Sequence, residues 1–120
     1  MWSEKFRELN CCVIIPTYNN AGTLASVING VLRYTDRIIA VNDGSNDLTA
    51  DILRRFRNIT VVTHEVNRGK GIALQTGFKK AVEKGYRYAV TIDSDGQHNP
   101  DDLPGFIEKI EAEPDSMIVG

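Results

Sequence analysis

Two carboxylates one residue apart, Asp93 and Asp95, lie in Asp93-Ser94-Asp95-Gly96-Gln97-His98, directly after the apolar run Tyr88-Ala89-Val90-Thr91-Ile92. Like charges so close repel unless something positive meets them. Hard oxygens of this kind suit Mg2+ or Mn2+, which take a few carboxylates and substrate phosphates in place of a full protein cage. Gln97 offers a further neutral oxygen. His98 has three readings: a Mn2+ ligand, a phosphate donor, or a turn residue bonded to backbone, the last being the commonest. A plain turn would also account for Asp and Gly here.

Three other stretches carry chemistry-bearing residues. Pro16-Thr17-Tyr18-Asn19-Asn20 reads as a turn before a capped helix, or as a site where Tyr18 lies against a flat base. Asp43 in Asn42-Asp43-Gly44-Ser45 is a turn residue, or a carboxylate that accepts a base or ribose hydrogen bond at a strand end. Asn67-Arg68-Gly69-Lys70-Gly71 is a solvated helix start, or a phosphate cradle of backbone N–H groups with Lys70 as a point charge. It is not a Walker loop, since no Ser or Thr follows Gly69-Lys70. The Gly-x-Gly-x-x-Gly fingerprint of a dinucleotide site fails too, because the next glycine after Gly71 is Gly77. His64 reads as a strand-end surface histidine.

The elements that must position these residues follow from periodicity. Short apolar runs predict strands over Cys11–Pro16, Arg37–Asn42, Ile59–Thr63, Tyr86–Ile92 and Ser116–Val119. Leu24, Val27, Ile28, Val31 and Leu32 mark one apolar helix face, with Asn20 to cap it. Leu48, Ile52, Leu53 and Phe56 mark a second, shorter helix. Gly71, Leu74, Phe78, Ala81 and Val82 mark a third, stopped by Gly85. Leu103, Phe106, Ile107 and Ile110 mark a fourth, started by Asn99, Pro100 and the acids Asp101 and Asp102. Strand and helix alternate throughout, which predicts an α/β fold: a Rossmann-like open parallel sheet with helices on both faces. Ligands of such sheets bind beyond the carboxyl ends of the strands. All four chemical stretches fall there.

The 120 residues suit one domain; 42% are hydrophobic and 25% charged, as in an ordinary globular protein. A net charge of −2 argues against a nucleic-acid face. The apolar run Cys11 to Ile15 is too short to span a bilayer, and the start Met-Trp-Ser-Glu-Lys-Phe-Arg lacks a signal core, which implies a cytoplasmic protein. Cys11 and Cys12 are adjacent, so a disulfide between them would be strained; they read as buried small hydrophobes.

Four stretches in order carry a resemblance: Val13-Ile14-Ile15-Pro16-Thr17-Tyr18-Asn19, Val41 to Thr49, Asn67 to Gly71, and Asp93 to His98. Together they resemble the family 2 glycosyltransferases, inverting enzymes of the GT-A fold. The continuation Gln97-His98-Asn99-Pro100 is most similar to the polyprenyl-phosphate (dolichol-phosphate) sugar transferases. The resemblance implies a nucleotide-diphospho-sugar donor, UDP- or GDP-linked, an Mg2+ or Mn2+ cofactor, and a polyprenyl-phosphate acceptor. It implies that Pro16 and Tyr18 line the nucleoside site, Asp43 bonds the base, Lys70 lies near the nucleotide, and Asp93 contacts ribose or metal. Asp95 and Gln97 would hold the metal on the diphosphate. Two positions depart from the family's pattern. Asn42 stands where the first Asp of Asp-Asp-Gly-Ser is common, and Asn20 stands where related transferases often carry Glu.

Family members run well past the fifth predicted strand. The expectation is therefore a single nucleotide-sugar-binding domain over 1–120, truncated at its C-terminal end and inactive alone. The general base is expected beyond Gly120, as is any membrane contact. The lone fifth strand predicts an apolar edge and self-association. Two alternatives stand beside the transferase: a non-catalytic nucleotide-binding module that keeps the donor loops, and a nucleotidyltransferase on a similar sheet, which the four ordered stretches disfavour.

Overall fold

The computed structural model describes residues 2–95 and 99–112. The apolar runs form strands β1 (Cys11–Thr17), β2 (Ile38–Asp43), β3 (Thr60–His64) and β4 (Tyr88–Thr91). They pair in parallel in the order β3-β2-β1-β4. The helices are α1 (Trp2–Leu9), α2 (Ala21–Leu32), α3 (Thr49–Arg54), α4 (Lys70–Glu83) and α5 (Leu103–Ala112), the last entered through a 3-10 turn, Pro100–Asp102. The expected open α/β sheet with helices on both faces is present.

β1 and β2 are buried at every residue, as central strands covered on both faces must be. Alternation along β1 divides the core. Cys11, Val13 and Ile15 pack with Leu24, Ile28, Leu53, Leu103 and Ile107 on one face. Cys12 and Ile14 pack with Ile39, Val41, Ala73 and Ala81 under α4 on the other. Edge strand β3 is only half covered, with Val61 exposed.

α4 departs from its expected face. Its buried stripe is Ala73, Gly77 and Ala81, with Leu74 and Phe78 splayed at the sides and Val82 exposed. Small residues let the helix backbone come down onto the sheet. A Cβ on Gly77 would stand 2.5 Å from Cγ2 of Ile14. That close seat brings the start of α4 against the carboxyl end of β1. Leu48, expected on the face of α3, is exposed ahead of it.

α1 was not foreseen from the sequence. Phe6 is fully buried, Trp2 and Leu9 pack on the core, and Lys5 Nζ meets Glu111 on α5 at 3.0 Å. The expected helix start at Asn99 is present: its Oδ1 accepts from Asp101 N at 3.0 Å, with Pro100 next. Pro100 packs on α2 so closely that a Cβ on Gly30 would lie 2.7 Å from it. The fifth strand, Ser116–Val119, and the self-association argued from it lie outside the described residues.

Register aligns the strand ends. Thr17 pairs with Asn42, Asp43 with His64, and Ile14 with Thr91. The loops after β1, β2, β3 and β4 therefore leave from one edge of the sheet.

Candidate functional site

At that edge a cavity of about 220 Å3 is lined by Pro16, Thr17, Tyr18, Asn20, Asp43, Asn67, Lys70, Ala73, Asp93, Ser94 and Asp95. All six residues expected to bind a nucleotide-sugar (Pro16, Tyr18, Asp43, Lys70, Asp93 and Asp95) are on this wall. Gln97 and His98 lie outside the described residues.

The loop after β2 is tied to its neighbours on both sides. Asn19, at φ 52, donates its N–H to Ser45 Oγ at 3.0 Å, and its Oδ1 accepts from Asn46 N at 2.9 Å. Asp47 accepts from Thr49 N at 2.9 Å and from Ala21 N at 3.3 Å. The first N–H of α2 is thus capped from another loop, because Asn20 is engaged elsewhere. The side chain of Asn20 makes no helix cap; its Oδ1 accepts from Tyr18 N at 3.3 Å and from Ser94 Oγ at 2.8 Å. Gly44 has φ 72, and a Cβ there would stand 2.3 Å from the backbone of Val66 and Asn67. Only glycine permits this approach of the β2 and β3 loops.

Asp43 is 2% exposed and fully hydrogen-bonded. Oδ1 lies 2.8 Å from His64 Nδ1 and accepts from Arg68 N at 2.9 Å. Oδ2 accepts from Gly69 N at 2.9 Å and from Asn67 Nδ2 at 3.1 Å. Burial pushes this carboxyl up, but the bonds from His64, Arg68 and Gly69 outweigh it and hold Asp43 below the usual carboxylate range. The four donors fill the carboxylate's lone-pair sites. Asp43 therefore organises the loop between β3 and α4 in this structure, and a base donor would have to replace one of the four.

The β4 end is built differently. Ser94 is buried; its Oγ sits 3.0 Å from the Pro16 carbonyl, and its own carbonyl accepts from Thr23 Oγ1 at 2.5 Å. That clamp fixes the backbone between Asp93 and Asp95 against the β1 loop. The flanking carboxylates line the cavity beside it. Lys70 Nζ reaches Asp93 at 2.6 Å, on side chains 61% and 17% exposed, and Asp95 is exposed. Among the described residues, no group of three His, Cys, Asp or Glu forms a metal cage. Two carboxylates one residue apart, one of which already draws an ammonium group, do fit a cation completed by phosphate oxygens.

Several other polar and titratable groups are buried or tied into the fold. Burial pushes the Cys11 and Cys12 thiols up to about 12. Asp101 is tied to Tyr34 at 2.7 Å and Arg33 at 3.3 Å, as a helix-start acid. Thr17 Oγ1 is buried with no hydrogen-bond partner among the described residues. His64 is no surface histidine, because its ring is held at both nitrogens; only the cross-strand register with Asp43 could have signalled that.

The family described as Glycosyl transferase family 2 matches residues 12–120. This chain belongs to that family. It is 36% identical over 125 residues to the UDP-N-acetylglucosamine--dolichyl-phosphate N-acetylglucosaminyltransferase of Methanococcus voltae, covering 90% of this chain and 50% of that protein. It is 30% identical over 113 residues to the polyprenol monophosphomannose synthase of Mycolicibacterium smegmatis, covering 88% and 43%. Glucosyl-3-phosphoglycerate synthase from Mycobacterium tuberculosis, solved with Mn2+, UDP-glucose and phosphoglyceric acid, superposes with TM-score 0.67 at 25% identity over 86% of this chain and 39% of that one. The sheet is thus that of the GT-A glycosyltransferases. The chain spans about half the length of the relatives it matches. No helix among the described residues is long and apolar enough to cross a membrane.

Proposed function

We propose that this chain binds the nucleotide-diphospho-sugar donor of an inverting, metal-dependent glycosyltransferase whose acceptor is a polyprenyl phosphate. The observation that carries this reading is the convergence of six residues from four loops on one cavity. At about 220 Å3 the cavity is smaller than a typical ligand site, so it takes the nucleoside and leaves the diphosphate at its mouth. Tyr18 and Pro16 offer flat apolar surface to the base. Asn67 Nδ2 is the donor that yields to a base N–H at Asp43, since it comes from an exposed side chain and makes the longest of the four bonds.

Asp93 and Asp95, with Gln97, would hold Mg2+ or Mn2+; the bound cation supplies Lewis-acid stabilisation to the departing diphosphate. Lys70 then exchanges its ion pair with Asp93 for the nearby phosphates. The named donor of the Methanococcus relative favours UDP over GDP. A non-catalytic module with the same loops would bind the donor equally, and transfer by the whole protein separates the two.

Chemical-shift mapping with UDP and Mg2+ tests the site. The amides of Tyr18, Asp43, Asn67, Lys70, Asp93 and Asp95 are expected to move together. Shifts gathered at the opposite edge of the sheet, around Asn10 and Tyr86, would contradict it.

A further inference from the structure

Behind the cavity wall lies a buried relay that the donor contacts do not use. Parallel pairing sets Asp43 opposite His64, so both side chains leave the sheet on the α4 face. The His64 side chain is 9% exposed. Its Nδ1 lies 2.8 Å from Asp43 Oδ1, and its Nε2 lies 2.9 Å from Thr76 Oγ1 on α4. Nδ1 must carry a proton, because an ionised carboxylate only accepts. Nε2 then accepts from the Thr76 hydroxyl in the neutral ring or donates to it in the charged ring; the hydroxyl serves either.

We propose that His64, oriented by Thr76, is a positioning residue for the nucleoside end of the crevice. The inference rests on the nucleotide-binding reading above. A ring anchored at both nitrogens cannot swing away, so it keeps Asp43 aimed while the exchangeable donor, Asn67, leaves. With His64, Arg68 N and Gly69 N still in place, Asp43 stays ionised and the β3–α4 loop stays seated as the base arrives. Without His64 the carboxylate gives up Asn67 with only two backbone bonds left in a buried place, and the exchange becomes unfavourable.

Amide side chains separate the two anchors. His64→Asn places a donor near the Nδ1 position, His64→Gln near the Nε2 position, and His64→Leu fills the space with neither. UDP is titrated into each by calorimetry with Mn2+ present. Loss of a charge-assisted hydrogen bond predicts about tenfold weaker UDP binding for the Leu and Gln variants and a much smaller change for the Asn variant. Mn2+ affinity without nucleotide is expected to be the same in all. Thr76→Val, a near-isosteric change, gives a smaller loss of UDP affinity and serves if a His64 variant does not fold. The inference fails if the Leu variant binds UDP as wild type, if the Asn variant loses as much as Leu, or if Thr76→Val has no effect. A wild-type protein that binds no UDP overturns the nucleotide reading itself.

Discussion

The two ends of the crevice solve the placement of a carboxylate in opposite ways. Asp43 is buried, meets four protein donors and is fixed before any ligand arrives. Asp95 is exposed at the rim, and Asp93, only partly buried behind it, is paired with an exposed lysine. A buried charge needs a full set of bonds, or it neutralises. A rim charge keeps its solvation and can trade partners cheaply. The first arrangement suits recognition of one rigid group, the nucleoside. The second suits ligands that come and go, a cation and a diphosphate.

Changes at the fixed end are expected to damage the fold, and changes at the loose end to damage binding alone. The largest effect belongs to Gly44→Ala, where positive φ and a backbone clash act together. It should destabilise by about 3 kcal/mol or more in urea unfolding. Asp43→Asn comes next, at about 2 kcal/mol near neutral pH, because it weakens bonds that a charged acceptor makes. Its pH dependence is diagnostic. The folded-state pKa of Asp43 is lowered, so its stabilisation is present above the ordinary value of about 4 and is lost as the pH falls through the lower folded value. The stability gap between wild type and Asp43→Asn should therefore close in acid.

At the loose end, Asp95→Ala should leave the urea midpoint unchanged and weaken UDP binding with Mn2+ by at least about tenfold. An equal loss of stability would erase the contrast between the two ends. Lys70→Met should weaken UDP binding by only about threefold, as the ammonium group is itself exposed and screened by solvent, and should tighten Mn2+ binding without nucleotide. Thr17→Val, which removes a buried hydroxyl with no partner among the described residues, should shift stability by no more than about 0.5 kcal/mol.

Much of the loose end was legible in the sequence, because its signals are local. A buried run followed by Asp-Ser-Asp-Gly places carboxylates at a strand end whatever the rest of the chain does. The sheet was legible for the same reason: short apolar runs and turn residues recur at strand-helix spacing. The fixed end was legible only in part. Asp43 stood out, but its four donors come from the next strand and loop, and register decides which residues they are. His64 looked like any strand-end histidine until β3 was laid beside β2. Asn20 looked like a helix cap, but Ser94, far along the chain, competes for its side chain and Asp47 takes over the cap. On α4 the spacing of large apolar residues points a face that includes Val82 at the sheet, whereas close packing on Ile14 selects Ala73, Gly77 and Ala81.

The central claim is that the rim carboxylates hold a cation against the diphosphate of a nucleotide seated between Tyr18 and Asp43. Calorimetric titration of UDP into the wild-type chain with Mn2+, repeated in EDTA, tests it most directly. Saturable binding with Mn2+ that weakens at least about tenfold in EDTA is the predicted result. Equal affinity in the two titrations, or no binding in either, would contradict it.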